Sequence, residues 1–127
     1  MFRMTILLPF LVAALTVSAC GQATKDVTPT EAKAMIDKGS VVVVDVRTDG
    51  EWNAGHLKDA LHIDISSSDF EKKIKAIEKN KTVVVYCAVG GRSSRAASSM
   101  TKMGFKKVYN MDGGYNGWSA LKYPVTK

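Results

Sequence analysis

At 127 residues, 46% hydrophobic and 24% charged, the chain has the size and composition of one ordinary globular domain plus a short extra segment. With two histidines, two cysteines and neither zinc-type spacing nor a phosphate-binding loop, no metal ion or other cofactor is expected. The formal net charge of +6 favours small anions and anionic lipid surfaces, while dispersed lysines without interleaved aromatics argue against nucleic acid.

Arg3 precedes an uncharged run from Ile6 to Val17, too short for a comfortable membrane span, and the run leads into Ser18-Ala19-Cys20. This segment resembles a bacterial lipoprotein signal. The resemblance implies a signal peptide over residues 1–19, cleavage before Cys20, lipidation of that cysteine, and an exported domain held to a membrane by the lipid. Such a domain faces the periplasm or the outer cell surface. Gly21 is not the aspartate that commonly retains lipoproteins at the inner membrane, so the outer membrane is expected in a two-membrane bacterium. Of 18 basic residues the leader removes only Arg3, which leaves 17 against 12 acidic ones. With Cys20 lipidated, Cys87 is the single free thiol and no intrachain disulfide can form.

Residues 20–25 read as a small polar tether without structure, and residues 26–127 as the domain. Thr28-Pro29-Thr30-Glu31 spells a helix start, with an N-cap threonine, proline at the first helical position and an acid three residues after the cap. The helix is predicted to run to about Lys38 and stop at Gly39. Val41 to Val44 is an apolar run that suits a buried strand, ending in Asp45-Val46-Arg47. Asp45 and Arg47 read as a strand-end pair supporting neighbouring loops, with Glu51 a second partner for Arg47. Asp49-Gly50 marks a turn, and Glu51 to Ala54 a helical turn with Trp52 facing inward. His56 reads as a hydrogen-bonded structural side chain rather than a general base. Ala60 to Ile65 gives a third strand. A helix from Ser68 to about Lys79 places Phe70, Ile74 and Ile77 on one face and leaves Lys72, Lys73, Lys75 and Lys79 to solvent.

Thr82 to Tyr86 is a fully apolar strand of the kind covered on both faces. Cys87-Ala88-Val89-Gly90-Gly91-Arg92 follows, and a helix begins near Ser93. A helix that starts beyond a strand end aims free amides and the positive end of its dipole at the turn. Gly90 and Gly91 permit positive φ, so the backbone can curl its N–H groups around the Cys87 sulfur, and Arg92 adds a full charge. Such surroundings lower a thiol pKa from about 8.5 to about 3.5–7.5. The helix is expected to expose its serines and to bury Ala96, Ala97, Met100 and Met103 before Gly104 closes it. Lys107 to Asn110 is a last strand, and Asp112-Gly113-Gly114 leads into a short helix that packs Trp118 and Leu121. Strands alternating with helices imply an α/β fold with a small parallel sheet and helices on both faces. Asp45, Arg47, Cys87 and the Asp112 to Gly114 loop then share the carboxyl end of that sheet, where ligands bind in such folds.

Four segments, in this order and spacing, resemble the rhodanese family of sulfurtransferases. They are Val44-Asp45-Val46-Arg47 with Glu51 and Trp52, Ala54-Gly55-His56-Leu57, the loop opened by Cys87, and Asp112 to Trp118. The resemblance covers roughly Asp26 to Tyr123 and implies a single rhodanese-like domain whose cysteine carries sulfur as a persulfide. It also implies mainly supporting roles for Asp45, Arg47 and His56. Lys58-Asp59 departs from the proline and glycine common after this histidine, and Ala88 from the basic residue common after the cysteine in thiosulfate users.

Loop length separates sulfur from phosphorus chemistry. A cysteine-loop phosphatase needs five residues between cysteine and arginine, and this loop has four, so its smaller cradle suits one extra sulfur atom. The expected reaction is transfer from a small anionic donor such as thiosulfate, through Cys87, to a thiophilic acceptor such as cyanide or a thiol. The amides of Ala88, Val89, Gly90, Gly91 and Arg92 hold the sulfur anion, and Arg92 draws in the donor. The alternatives are a persulfide carrier that hands sulfur to an acceptor protein without turnover of its own, and a lipoprotein whose buried cysteine is structural or redox-sensing.

Overall fold

The computed structural model describes residues 24–127. The leader, Cys20 and most of the expected tether lie outside the described residues. Ten elements alternate as β1 (Lys25–Val27), α1 (Pro29–Asp37), β2 (Val41–Asp45), α2 (Asp49–Ala54), β3 (Leu61–His62), α3 (Phe70–Lys75), β4 (Thr82–Tyr86), α4 (Gly91–Lys102), β5 (Lys107–Met111) and α5 (Gly114–Ala120). The five strands form one parallel sheet in the order β1-β5-β4-β2-β3. β4 lies at its centre, so Cys87 leaves the sheet from the most enclosed strand.

Each face of the sheet buries its own cluster. Val44, Val83 and Val85 meet Ile74, Ala96, Met100 and Phe105 on the α3 and α4 side, while Val43, Val84 and Tyr86 meet Ala32, Leu57 and Trp118 on the α1 and α5 side. The successive valines of β4 therefore point to opposite cores, which accounts for an apolar run without alternation. The predicted capping box forms at α1: the Thr28 hydroxyl accepts from the Glu31 amide, and the Glu31 carboxylate accepts from Thr28.

Four differences from the sequence expectation have local causes. Lys25, expected in the tether, begins β1, because the outer edge of β5 offers it a register partner at Tyr109. β3 keeps only Leu61–His62; beyond it Ile63 and Ile65 still donate to the Asp45 and Val46 carbonyls, outside regular strand geometry. α3 ends at Lys75, where Ala76 and Ile77 donate to carbonyls three residues back and tighten the turn that carries Ile77 into the core. Leu121, expected to pack, is 50% exposed, and Tyr123 instead meets Trp118 edge-on at 5.2 Å.

Candidate active site around Cys87

The loop after β4 is strapped down by backbone bonds to the start of α5. The carbonyls of Cys87, Ala88 and Val89 accept from the amides of Tyr115 (2.8 Å), Asn116 (3.0 Å) and Gly113 (3.1 Å). This close approach explains Gly114, which has φ +56°. A Cβ there would lie 2.5 Å from the Cys87 carbonyl oxygen and 2.6 Å from that of Ala88. With its carbonyls held outward, the loop is free to turn amides inward. Gly90, at φ +126°, makes that reversal, and its N–H donates to Cys87 Sγ at 3.1 Å. Gly91 is the first residue of α4 and has no positive φ, so the reversal rests on one glycine where two were expected.

Sequence reasoning missed the second donor. Ser93 Oγ donates to Cys87 Sγ at 3.3 Å and lies 2.6 Å from Asn110 Oδ1, whose amide nitrogen donates to Asp26 Oδ1 at 3.1 Å. The helix serines were expected in solvent, but Ser93 is fully buried. Its signal was in the pattern: Ser93, Ala96, Ala97 and Met100 follow the i, i+3, i+4, i+7 stripe of one helix face. Burial pushes the Cys87 thiol up. Hydrogen bonds from the Ser93 hydroxyl and from the amides of Ser93, Gly90 and Val89 outweigh it, so the thiol titrates below its ordinary range. Cys87 is 1% exposed, and Val89, on the loop above it, is 63% exposed.

Arg92 is not a bare positive charge. Its two terminal nitrogens donate to the two Glu51 carboxylate oxygens at 2.8 and 2.9 Å, a bidentate pair at the mouth of the site. Glu51 was expected to pair with Arg47; it caps α2 through Thr48 and faces α4 instead. The Arg92 hydrogen bonds draw the Glu51 carboxyl down to about 2. Arg47 turns the other way. It is 3% exposed, gripped by both Asp45 oxygens at 2.8–3.1 Å, donates to the Gly55 carbonyl at 2.6 Å, and lies over the rings of Tyr115 and Tyr86.

Among the described residues no hydrogen bond joins His56 to Cys87 Sγ. Its Nδ1 meets the Trp52 carbonyl at 3.0 Å, its ring stacks on Trp52 with centroids 3.4 Å apart, and its backbone exchanges hydrogen bonds with Thr126. The structure thus brings Cys87, Gly90 and Arg92 together with Ser93, holds Arg47 between Asp45, the Gly55 carbonyl and the rings of Tyr86 and Tyr115, and leaves Ala88 contributing its carbonyl to the strap.

A family model described as the rhodanese-like domain matches residues 28–121. Thiosulfate sulfurtransferase GlpE of Pseudomonas fluorescens is 37% identical over 102 residues, covering 80% of this chain and 89% of its own length. The tRNA uridine(34) hydroxylase of Cytophaga hutchinsonii is 40% identical over 93 residues, but the chain spans only 30% of that protein. Among solved structures, a rhodanese-related protein from Thermoplasma volcanium superposes with a TM-score of 0.71 at 28% identity, covering 80% of this chain and 97% of that one.

Proposed function

The chain belongs to the rhodanese-like domain family, and from that premise we propose that it is a sulfurtransferase in which Cys87 carries sulfane sulfur as a persulfide. The observation that carries the reading is the Gly90 N–H aimed at Cys87 Sγ at 3.1 Å, because a thiol held only for packing has no need of a donor there. In the first step the Cys87 thiolate attacks the outer sulfur of a donor such as thiosulfate. The donor's S–S bond breaks, sulfite leaves with the electron pair, and a persulfide anion remains. In the second step cyanide or a thiolate attacks the outer sulfur, the persulfide bond breaks, and the Cys87 thiolate returns. The Gly90 amide and the Ser93 hydroxyl stabilise the sulfur anion through both steps, and no general base is required. The nearly covered sulfur favours a small donor and a single added atom.

The test is intact mass after incubation with thiosulfate. One added sulfur, absent in Cys87→Ser, is expected, together with thiocyanate on addition of cyanide; an unchanged mass in the wild type would overturn the persulfide. Two features favour a second reading, a carrier that passes sulfur to an acceptor protein. Ala88 brings no charge after the cysteine, and Glu51 neutralises Arg92, so the pull on a free anionic donor is weak. That reading predicts the added sulfur without thiocyanate turnover. We further propose export and lipidation at Cys20, supported by the sequence pattern alone. Metabolic labelling with palmitate, lost in Cys20→Ser, is the expected result, and an unlabelled wild type would remove the anchor.

A further inference from the structure

In an all-parallel sheet every strand begins at one end, and each helix that returns the chain also finishes there. Cys87 lies at the other end. At the beginning end, Lys25 and Lys107 start β1 and β5, Lys81 and Lys106 immediately precede β4 and β5, Lys102 ends α4, and Lys79 lies against Gly104 in the turn between α4 and β5. All six are exposed, and among the described residues none is in an ion pair. Lys25, Lys106 and Lys107 converge, with Val108 and Tyr109, on one depression of about 100 Å³. Three exposed carboxylates stand near these six lysines: Asp26 accepts from the Asn110 side-chain amide, Asp37 is held by Lys33, and Glu78 lies next to Lys79 in the chain. At the Cys87 end Arg47 is matched by Asp45 and Arg92 by Glu51, Arg95 is exposed and in none of the ion pairs among the described residues, and Asp49 and Asp112 are exposed.

A second, independent observation concerns where the chain enters. Thr24 Oγ1 meets Thr101 Oγ1 in the last turn of α4 at 3.4 Å, so residue 24 sits at the lysine end. Cys20 is four residues earlier, a reach of at most about 14 Å for extended chain. The anchor proposed above at Cys20 would thus attach through a segment that joins the described domain at its lysine end.

We propose that this end of the sheet docks on anionic lipid headgroups and turns Cys87 away from the bilayer. The charge complementarity is that of a juxtamembrane polybasic surface, which is attracted to anionic lipid and released by salt. The inference does not depend on the sulfur chemistry, and its test does not read activity. The full chain is reconstituted into vesicles of phosphatidylcholine, or of an equimolar mixture of phosphatidylcholine and phosphatidylglycerol, and its lysines are acetylated under limiting reagent.

On the mixed vesicles, labelling of the six lysines is expected to fall several-fold while Lys58 and Lys72 label equally on both. High salt should abolish the protection, and a Lys25→Gln, Lys106→Gln, Lys107→Gln variant with unchanged circular dichroism should lose it for the remaining three. Equal labelling of the six on both vesicles overturns the proposal. A uniform fall that includes Lys58 and Lys72 overturns it equally, since it means adsorption without orientation. Protection by added RNA but not by anionic vesicles would assign the face to nucleic acid and overturn it too.

Discussion

Two arginine–carboxylate pairs flank the loop of Cys87, and their surroundings give them different work. Asp45 and Arg47 stand two residues apart at the end of one strand, buried at 0% and 3% exposure, with the guanidinium also bonded to the Gly55 carbonyl and covered by two tyrosine rings. Glu51 and Arg92 come from α2 and α4, 41 residues apart, and meet with about a third of each side chain in solvent. The first pair joins β2 to the α2–β3 connection whatever the site is doing. The second stands part-exposed beside the Cys87 loop, with Arg92 in the first turn of α4. Both are arginine–carboxylate pairs; burial encloses one within the fold and leaves the other open to solvent.

Breaking the buried pair should have the largest effect on stability. Asp45→Ala leaves the Arg47 guanidinium buried without its carboxylate, and losing one partner of such a pair costs about 3–5 kcal/mol. Urea unfolding is expected to show a loss of that order. A loss within the error of the wild-type value would show that Gly55 and the tyrosines suffice to hold Arg47, and the contrast between the pairs would fall.

Ser93 lies between the pairs and should give an intermediate effect. Ser93→Ala removes the single hydroxyl proton that Cys87 Sγ, at 3.3 Å, and Asn110 Oδ1, at 2.6 Å, share, at about 1–3 kcal/mol for a buried acceptor left unsatisfied. The sign for the thiol follows from the same bond. The hydroxyl stabilises the thiolate, so its loss moves the Cys87 pKa up, back towards the ordinary thiol range. The rate of alkylation at mildly acidic pH should fall, and Ser93→Thr, which restores a hydroxyl, should recover it. An unchanged alkylation profile would leave the backbone amides of Gly90, Val89 and Ser93 as the donors that matter.

Much of this arrangement was legible in the sequence because it follows from periodicity and from turn chemistry. The valine runs of β2 and β4, the Thr28 capping box and Gly90 each state their local structure within a few residues, whereas Gly91, expected to share the reversal, is helical. What was missed joins residues far apart in the chain. Ser93 was read by residue type as solvent-facing, although its place on the Ala96, Ala97, Met100 stripe put it in the core. Glu51 was assigned to the nearer Arg47, because no local pattern reports that α2 and α4 face each other across 41 residues. Thr48 and Glu51 repeat the spacing of Thr28 and Glu31, so the second capping box was readable, but Asp49-Gly50 inside it also reads as a turn. β1 gave no signal in three residues, since it forms only where β5 offers an edge.

The exposed pair should show the smallest stability effect and a clear change in the site. Glu51→Gln keeps an acceptor for Thr48 and removes the charge opposite Arg92, and a pair this exposed contributes no more than about 1 kcal/mol. The pH dependence carries a sign. Glu51 is drawn from its ordinary 4.5 to about 2 in the folded chain, so its contribution is full above about 4.5 and is lost as pH falls through about 2. Thermal unfolding of wild type and Glu51→Gln should therefore differ slightly near neutrality and converge towards pH 2. At the mouth the result should reverse. An unmatched Arg92 beside the sulfur favours the thiolate and attracts an anionic donor, so the thiol pKa should drop and the KM for thiosulfate should fall several-fold. Were KM unchanged, Arg92 would be supporting the loop as Arg47 supports the strand end, and the two pairs would differ in exposure alone.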